Sequence, residues 1–310
     1  MTGAARPKKR DVSGWLVVDK PKGMTSTHAV ARAKRAFNAK KAGHAGTLDP
    51  LATGCLPIAF GEATKTVPFA MDGRKIYRFT VAWGVETDTD DAEGQPVAES
   101  DVRPGADAIT AVLPQFTGSI SQIPPRFSAI KLDGERAYDL ARAGEVVELK
   151  ARTIEIHRLQ LVANTPDSAE FETECGKGAY VRALARDIGR ALGTRGHVTA
   201  LRRTLVGPFG EHHFISLDEI DRLGQVAPGE ETLTTKLLPI ETALDDIPAL
   251  AVNGADAARL MRGQAVLLRG RDAPILNGTV AVTTQGQLIA LVEADGGELH
   301  PKRVFNRPGS

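Results

Sequence analysis

The stretch GHAGTLDPLATGCLPIAF, Gly43–Phe60, sets a single carboxylate between glycines, a proline and an apolar run. That carboxylate is Asp49, and the apolar run LPIAF behind it is typical of a buried strand. A buried or half-buried carboxylate is costly unless a cation or hydrogen bonds hold it. Asp49 is therefore either a turn-forming residue or an acid that the fold keeps charged for use.

Length and composition are those of a globular protein. The 310 residues, 42% hydrophobic and 25% charged, are enough for one large domain and a small one. No apolar run approaches the roughly 20 residues that cross a bilayer, and residues 1–13 are predicted to be a disordered basic arm, not a secretory signal. Cys55 and Cys175 form no metal-ligand pattern. We therefore expect reduced thiols and a cytoplasmic location.

The charges are segregated along the chain, although the net charge is only +1. Residues 20–48 hold seven Lys or Arg and no acid, and residues 176–210 hold seven against one acid, Asp187. Residues 86–101 hold seven acids and no base. This distribution favours a basic face for a polyanion and an acidic face elsewhere. Chance clustering on solvated helices gives the same pattern and stays an alternative.

Apolar periodicity predicts strands and helices in mixed order. KIYRFTVAWG alternates and predicts a strand, whereas AYVRALARDIGRALG predicts an amphipathic helix with its arginines off the apolar side. Thr25 can cap a helix whose apolar side includes Ala33 and Phe37. Because strands and helices do not alternate regularly, an α+β fold is favoured over a doubly wound one.

The sequence pattern changes at two places along the chain. Short alternating runs separated by Gly-containing turns predict a small all-β domain over residues 248–310, after a main body over residues 14–247. Within that body, residues 122–150 form an irregular, insertion-like segment, and long excursions of this kind are often functional. Its basic residues are Arg126, Lys131, Arg136 and Arg142.

Several common chemistries are excluded or weakened. ECGKGAY matches neither a phosphate loop nor a dinucleotide-binding turn, and no GxSxG nucleophile elbow occurs. The seven histidines show no HxxxH or HExxH spacing, so no metal site is expected. A glycosidase-type carboxylate pair stays open, although the Asp49 loop offers only one acid. A cofactor-free reaction that depends on one carboxylate remains.

The motif GHAGTLDPLATG resembles the signature of the bacterial tRNA pseudouridine synthase B family, which acts on the T-loop uridine at position 55 of tRNA. Ala45 and CGKGAY depart from it, since the family often has Thr and CSKGTY there. Six further stretches resemble the family in the family's order and cover roughly the first two-thirds of the chain: VVDKPKGMTS, GEATKTV, KIYRF, QIPPRFSAIKLDGERAY, CGKGAYVRALARDIG and HVTALRRTLVGPF.

The resemblance implies a fold and a catalytic set. The fold is an α+β, mixed-sheet pseudouridine synthase catalytic domain followed by a small PUA-like RNA-binding domain. The chemistry needs no cofactor and depends on Asp49, with Arg182 pairing with the acid and orienting it. Tyr77 matches the tyrosine that stacks on the target base.

The resemblance also implies substrate contacts, with tRNA as the partner of a monomer that needs no other protein. His44 matches the residue that fills the space left by the flipped uridine, while Tyr180 and Leu201 line the uracil pocket. Lys20 and Lys65 match positions near the site, where they support local structure or phosphate. The RNA contacts comprise segment 122–150 on the T-arm, the C-terminal domain on the acceptor stem, and basic residues Arg126, Lys131, Arg136, Arg142, Arg202 and Arg203.

Two other functions stay open at this stage. One is an RNA-binding or tRNA-folding chaperone without chemistry, and folding assistance can also coexist with activity. The other is the archaeal and eukaryotic relative that takes its target from a guide RNA within a larger complex. The sequence leaves open whether Asp49 attacks the sugar, attacks the base or removes a sugar proton.

Overall fold

The computed structural model describes residues 8–128, 149–225, 232–268 and 274–306, with the backbone of residues 131–132 and 135–136. Six α-helices lie within these residues: α1 Ser26–Ala36, α2 Val67–Asp72, α3 Ala106–Val112, α4 Val181–Ala191, α5 Leu217–Leu223 and α6 Gly254–Met261. Short 3-10 helices are Gly61–Lys65, Leu113–Phe116, Glu211–His213, Leu233–Lys236 and Ile240–Leu244.

The strands fall into two groups along the chain. The first group is β1 Gly14–Lys20, β2 Ala42–His44, β3 Thr53–Phe60, β4 Lys75–Trp83, β5 Val85–Thr87, β6 Pro96–Glu99, β7 Gly118–Gln122, β8 Lys131–Leu132, β9 Glu135–Arg136, β10 Arg152–Asn164, β11 Ser168–Cys175, β12 Gly196–Val206, β13 Phe209–Gly210 and β14 Phe214–Ser216. The second group is β15 Ala249–Ala251, β16 Val266–Leu267, β17 Gly278–Thr284, β18 Gln287–Asp295 and β19 Glu298–Val304.

Ten strands of the first group form one mixed sheet, in the order β14-β1-β3-β12-β4-β11-β10-β7, with β2 on β3 and β13 on β12. The β1–β14 and β3–β12 pairs are parallel, and the other pairs are antiparallel. The mixed α+β class predicted from the sequence is confirmed. Strand β12, which follows helix α4, lies between β3 and β4 at the centre of this sheet.

Both faces of the sheet are covered at β1 and β3, which explains the apolar runs in these two strands, whereas β4 alternates and leaves Arg78 exposed on its other face. Leu16 and Val18 of β1 face a large core that also contains helices α1 and α4. Trp15 and Val17 face a second, smaller core on the other side. The predicted alternation in β4 is confirmed, since Phe79, Val81 and Trp83 are all buried in the large core.

Three of the seven acids in residues 86–101, Glu86, Asp90 and Asp91, are buried, so the expectation that the whole stretch forms an acidic face is wrong for these three. Asp90 Oδ2 lies 2.9 Å from Arg186, and Glu86 pairs with Arg190, both arginines being on helix α4. Arg186 is only 8% exposed although it lies off the apolar side. Glu86 and Asp90 thus pair with arginines of the second basic stretch, residues 176–210. Burial of the acids or of the arginines alone would leave unpaired charge.

The predicted disordered arm also needs correction. Of residues 1–13, residues 1–7 lie outside the described chain, but residues 8–13 are described and run along the domain. Arg10 exchanges backbone hydrogen bonds with Asn38 and Lys40, and Val12 is 7% exposed in the large core. Pro68 stands in the first turn of helix α2, where its missing N–H costs nothing and its fixed φ favours a helix.

The second group of strands forms a separate five-stranded sheet, in the order β15-β17-β18-β19-β16, with helix α6 against it. This confirms a C-terminal β domain, and its first strand begins at Ala249. Phe305 and neighbouring apolar residues of this domain pack against Phe69 and Ile240 of the main body. Among the described residues, no helix is both long and apolar enough to cross a membrane.

Candidate active site

Asp49 lies in the loop that joins β2 to β3, in a turn closed by a hydrogen bond from the Ala52 N–H to the Asp49 carbonyl at 3.1 Å. Ser26 at the start of helix α1 fixes the residue before it. The Ser26 hydroxyl accepts from the Leu48 N–H at 2.8 Å and lies 3.0 Å from the Leu48 carbonyl. Buried hydrogen bonds of this kind hold a loop in one conformation.

Lys20 supports the same loop from a second side. Its ammonium is fully buried and donates to the carbonyls of Met24 at 2.6 Å, Pro21 at 2.9 Å and Pro50 at 3.4 Å. Burial lowers the pKa of Lys20 to about 8, and the nearby charge of Asp49 opposes that shift. Lys20 is therefore a cation next to Asp49 whose donors are already used by the protein.

Arg203, on strand β12, supports the Asp49 loop from a third side. Only 2% exposed, it donates to the carbonyls of Cys55 at 2.8 Å, Gly46 at 2.9 Å and Thr47 at 3.4 Å. The approach of the strands is so close that a Cβ at Gly54, which has φ +93°, would lie 2.2 Å from the Arg203 carbonyl. The predicted RNA contact at Arg203 is wrong, because its guanidinium is spent on the backbone of the Asp49 loop.

Arg182, in the first turn of helix α4, forms an ion pair with Asp49, with 2.9 Å between Nε and Oδ2. The arginine side chain is 5% exposed, whereas that of Asp49 is 40% exposed. The remaining nitrogens of the guanidinium donate to the carbonyls of Thr89 at 2.7 Å and Phe127 at 2.9 Å. The buried Asp91 carboxylate completes the set at 3.4 Å. Arg182 is thus fixed by four oxygens, and of the two carboxylates among them only that of Asp49 is substantially exposed.

The charge of Asp49 acts on the phenols of two tyrosines. Tyr77 on β4 is opposite Arg203 on β12 in the sheet register. Burial raises the pKa of the Tyr77 phenol, against the opposing charge of Arg203, and the Asp49 charge raises it further. Tyr180 precedes helix α4, and burial likewise raises the pKa of its phenol. Gln122 hydrogen bonds to both the N–H and the carbonyl of Tyr180, at 2.9 and 3.2 Å.

This arrangement, a carboxylate that pairs with a buried arginine and lies on a loop held by three side chains, can be compared with known proteins. The family model described as "TruB family pseudouridylate synthase (N terminal domain)" matches residues 34–181. The model described as "tRNA pseudouridylate synthase B C-terminal domain" matches residues 182–245. Together they cover more than half of the chain.

This chain belongs to the TruB family of pseudouridylate synthases. It is 68% identical to the tRNA pseudouridine synthase B of Bradyrhizobium diazoefficiens, over 98% of this chain and 89% of that protein. The tRNA pseudouridine synthase B of Rhizobium meliloti is 54% identical, over 98% of this chain and 99% of that protein. The recognition made from the sequence motifs is therefore confirmed.

Solved structures agree with the TruB-family fold. A structure described as "Crystal Structure of a Cbf5-Nop10-Gar1 Complex" has a TM-score of 0.75 at 29% identity, over 94% of this chain and 85% of that one. One described as "Structure of H/ACA RNP bound to a substrate RNA containing 2'-deoxyuridine" has a TM-score of 0.73 at 26% identity, over 95% and 85%. The TruB boundary at residue 182 is no structural boundary, since α4 and β12 belong to the main sheet and its core.

The remaining predicted substrate residues lie in different surroundings. His44, on β2, is half-buried, and its Nδ1 has no hydrogen-bond partner among the described residues. Burial lowers the pKa of His44, helped by the charge of Arg203, so its ring is neutral near pH 7. Leu201, 8% exposed, is part of the large core and lies on the same face of β12 as Arg203.

Lys65 and Arg202 are engaged by the protein and not placed beside Asp49. Lys65 binds Glu62 and the C-terminal domain, as described below. Arg202 makes a two-point ion pair with Asp19, at 2.9 and 3.2 Å, and a third contact to Glu211 at 3.0 Å. Arg126 is exposed. The side chains of Lys131, Arg136 and Arg142 lie outside the described residues.

Sequence reasoning missed Asp91, which brings a second carboxylate to Arg182 from a position 42 residues along the chain from Asp49. The only signal was the acidic stretch 86–101, which was predicted to form an acidic face. The described residues contain no cluster of acids, histidines and cysteines that could hold a metal ion. Cys55 and Cys175 are free and buried, and burial raises the pKa of each thiol to about 12, so neither supplies a nucleophile.

Proposed function

We propose that this chain isomerises uridine to pseudouridine in the T-loop of tRNA, at position 55, without a cofactor and as a cytoplasmic monomer. The observation that carries the proposal is the pair of Asp49 with Arg182 at 2.9 Å, with the acid exposed and the arginine buried. The family places the chain among pseudouridylate synthases, and relatives at 54–68% identity are named tRNA pseudouridine synthase B.

The isomerisation needs no net change of atoms or electrons. The N1–C1′ bond of the uridine breaks and a C5–C1′ bond forms, while C5 loses a proton and N1 gains one. An ionised carboxylate is sufficient for this as a nucleophile toward the sugar or the base, or as a base toward a sugar proton. Asp49 is the acid that a nucleotide can reach, since its side chain is 40% exposed and that of Asp91 is 4% exposed.

The surroundings of Asp49 favour a preorganised acid. Its loop is fixed by Ser26, Lys20 and Arg203, and its carboxylate is oriented by Arg182. Because these contacts exist before substrate binds, little reorganisation is needed when charge develops in the transition state. A merely turn-forming Asp49 requires none of them.

A uridine in a folded loop has to leave its stack to reach Asp49, at a cost of a few kcal/mol. Tyr77 supplies an aromatic surface on which the flipped base can stack, and Tyr180 and Leu201 complete an apolar pocket of the kind that bases favour. His44, half-buried on strand β2, fills the vacated position in the RNA. The segment 122–150 contacts the T-arm, with Arg126 on phosphate.

One assay separates the competing functions. Purified protein is incubated with a T-arm stem-loop RNA that contains the target uridine, and pseudouridine is measured. Product formation by the protein alone is expected. An RNA chaperone without chemistry gives no product, and a guide-RNA-dependent enzyme gives product only after a guide RNA and partner proteins are added. Product at a uridine outside the T-loop contradicts the proposed target.

A further inference from the structure

The 3-10 helix Gly61–Lys65 contacts the last strand of the C-terminal domain through two charged side chains. The ammonium of Lys65 donates to the Val304 carbonyl at 2.7 Å and pairs with Glu62 at 2.6 Å. The same Glu62 carboxylate accepts from the Asn306 N–H at 2.7 Å. We call these contacts, between Glu62 and Lys65 on one side and residues 304–306 on the other, the inter-domain latch.

The charged side chains of the inter-domain latch are largely buried, and an aromatic ring lies next to them. The side chains of Lys65 and Glu62 are 24% and 20% exposed, and the Lys65 ammonium lies 5.6 Å from the ring centroid of Phe305. Phe305, 3% exposed, packs against Phe69 and Ile240 of the main body. Hydrogen bonds to charged groups in such surroundings are stronger than those between neutral groups.

The latch is joined to the active site by a single rigid element. Strand β3 begins three residues after Pro50, at the end of the Asp49 loop, and the 3-10 helix follows directly at its other end. Its eight residues span roughly 26 Å, and β1, β2 and β12 pair with it along its length. The distance between Asp49 and the C-terminal domain is therefore set by a central strand that neighbours hold on both edges.

We propose that Glu62 and Lys65 are positioning residues that fix the C-terminal domain relative to Asp49, so that one tRNA engages both. This rests on the proposed function, in which the C-terminal domain holds the acceptor stem while the T-loop reaches Asp49. Two sites on one rigid body gain affinity for a ligand that spans them, and the gain is lost when their geometry is not held. The substrate that reports the latch is thus whole tRNA and not a short stem-loop.

The test compares Lys65→Met on two RNAs, whole tRNA and the isolated T-arm stem-loop, with KM and kcat measured for each. Loss of a charge-assisted hydrogen bond predicts a rise of about tenfold in KM for whole tRNA with unchanged kcat. On the stem-loop, which has no acceptor stem, both constants stay within about twofold. Lys65→Arg, which retains the charge and donors, restores KM on whole tRNA.

Matched variants guard against trivial effects. Glu62→Gln removes the other half of the latch without loss of volume and predicts the same substrate-dependent rise in KM. Arg222→Met removes a positive charge from an exposed position of helix α5 and predicts no change on either RNA. Equal losses on both RNAs, or an unchanged KM on whole tRNA, overturn the latch alone. No product from the unmodified protein on either RNA contradicts the proposed function, and the latch with it.

Discussion

Arg182 and Asp49 come from positions 133 residues apart, yet Nε of one lies 2.9 Å from Oδ2 of the other. The arginine is in the first turn of a helix whose apolar side is in the main core, so its position follows from the packing of that helix. The acid is at the tip of a loop with three separate supports. The pair thus joins two elements that the sheet already holds in place.

The geometry predicts that Arg182→Lys loses most of the rate and little of the binding. A lysine retains the charge, but its single ammonium cannot reach Asp49, Thr89 and Phe127 together. Misplacement of a catalytic group by about 1 Å can cost 100-fold, so we expect at least about a 100-fold lower single-turnover rate. Filter binding should give a tRNA Kd within about threefold of normal. Arg190→Lys, on the same helix but paired with Glu86, is the matched control.

Asp91 is predicted to weaken the interaction of Arg182 with Asp49, because it offers the same guanidinium a second carboxylate. Asp91→Asn retains the size of the side chain and removes the second carboxylate from the guanidinium. Arg182 then interacts with Asp49 more strongly and lowers its reactivity, and a change of about 1.4 kcal/mol corresponds to a tenfold lower rate. Single-turnover kinetics with Asp101→Asn, at an exposed position, as control check this. Equal rates for the two variants would show that Asp91 has no such role.

Arg203 and Arg126 are predicted to differ in their response to salt. Arg203→Met removes the side-chain donor to two loop carbonyls and to the Cys55 carbonyl of β3 and should lower the free energy of unfolding by about 3 kcal/mol. Because its guanidinium is buried and donates to protein carbonyls, the salt dependence of tRNA binding should not change. Arg126→Met removes an exposed charge, so the slope of log K against log salt should fall by about 0.7–0.9. Denaturant titration and binding at several salt concentrations measure both. A reduced salt slope for Arg203→Met alone would restore Arg203 as an RNA contact.

Lys20 gives a pH dependence with a definite sign. Its folded-state pKa is lowered from 10.5 to about 8 by burial, so between those values the unfolded chain binds more protons than the folded one. The free energy of unfolding then gains a rising contribution as the pH increases from about 8 towards 10.5. Lys20→Met should lack this contribution. Urea titrations of both proteins from pH 7.5 to 10 test it, and parallel curves would contradict the shifted pKa.

Much of the framework could be predicted from local pattern. The alternation in β4 and the amphipathic character of helix α4 both follow from the spacing of apolar residues, because each element buries one side in the core and leaves the other side more exposed. The capped start of helix α1 at Thr25 is equally local. The Asp49 loop was found through motif resemblance, which carries information that periodicity does not.

The errors arose where charge and sequence distance mattered. Asp90 and Asp91 pair with arginines more than 90 residues away, and nothing in an acidic run shows that it will be buried. Burial raises the pKa of Asp90 to about 6 even beside Arg186, so these groups depend on one another. Arg202 and Arg203 were grouped as RNA contacts, yet neighbours on a strand face opposite sides. Leu201 is two residues before Arg203, so the two side chains share one face of β12, and the apolar character of Leu201 indicated that this face is buried.

The most direct test of the account is the rate of pseudouridine formation in whole tRNA by Asp49→Asn under single-turnover conditions. The variant retains the size and the turn but replaces the carboxylate that pairs with Arg182. If Asp49 is the catalytic acid, no product is detected while the tRNA Kd stays within about threefold of normal. Product formation by Asp49→Asn at the rate of the unmodified protein would contradict it.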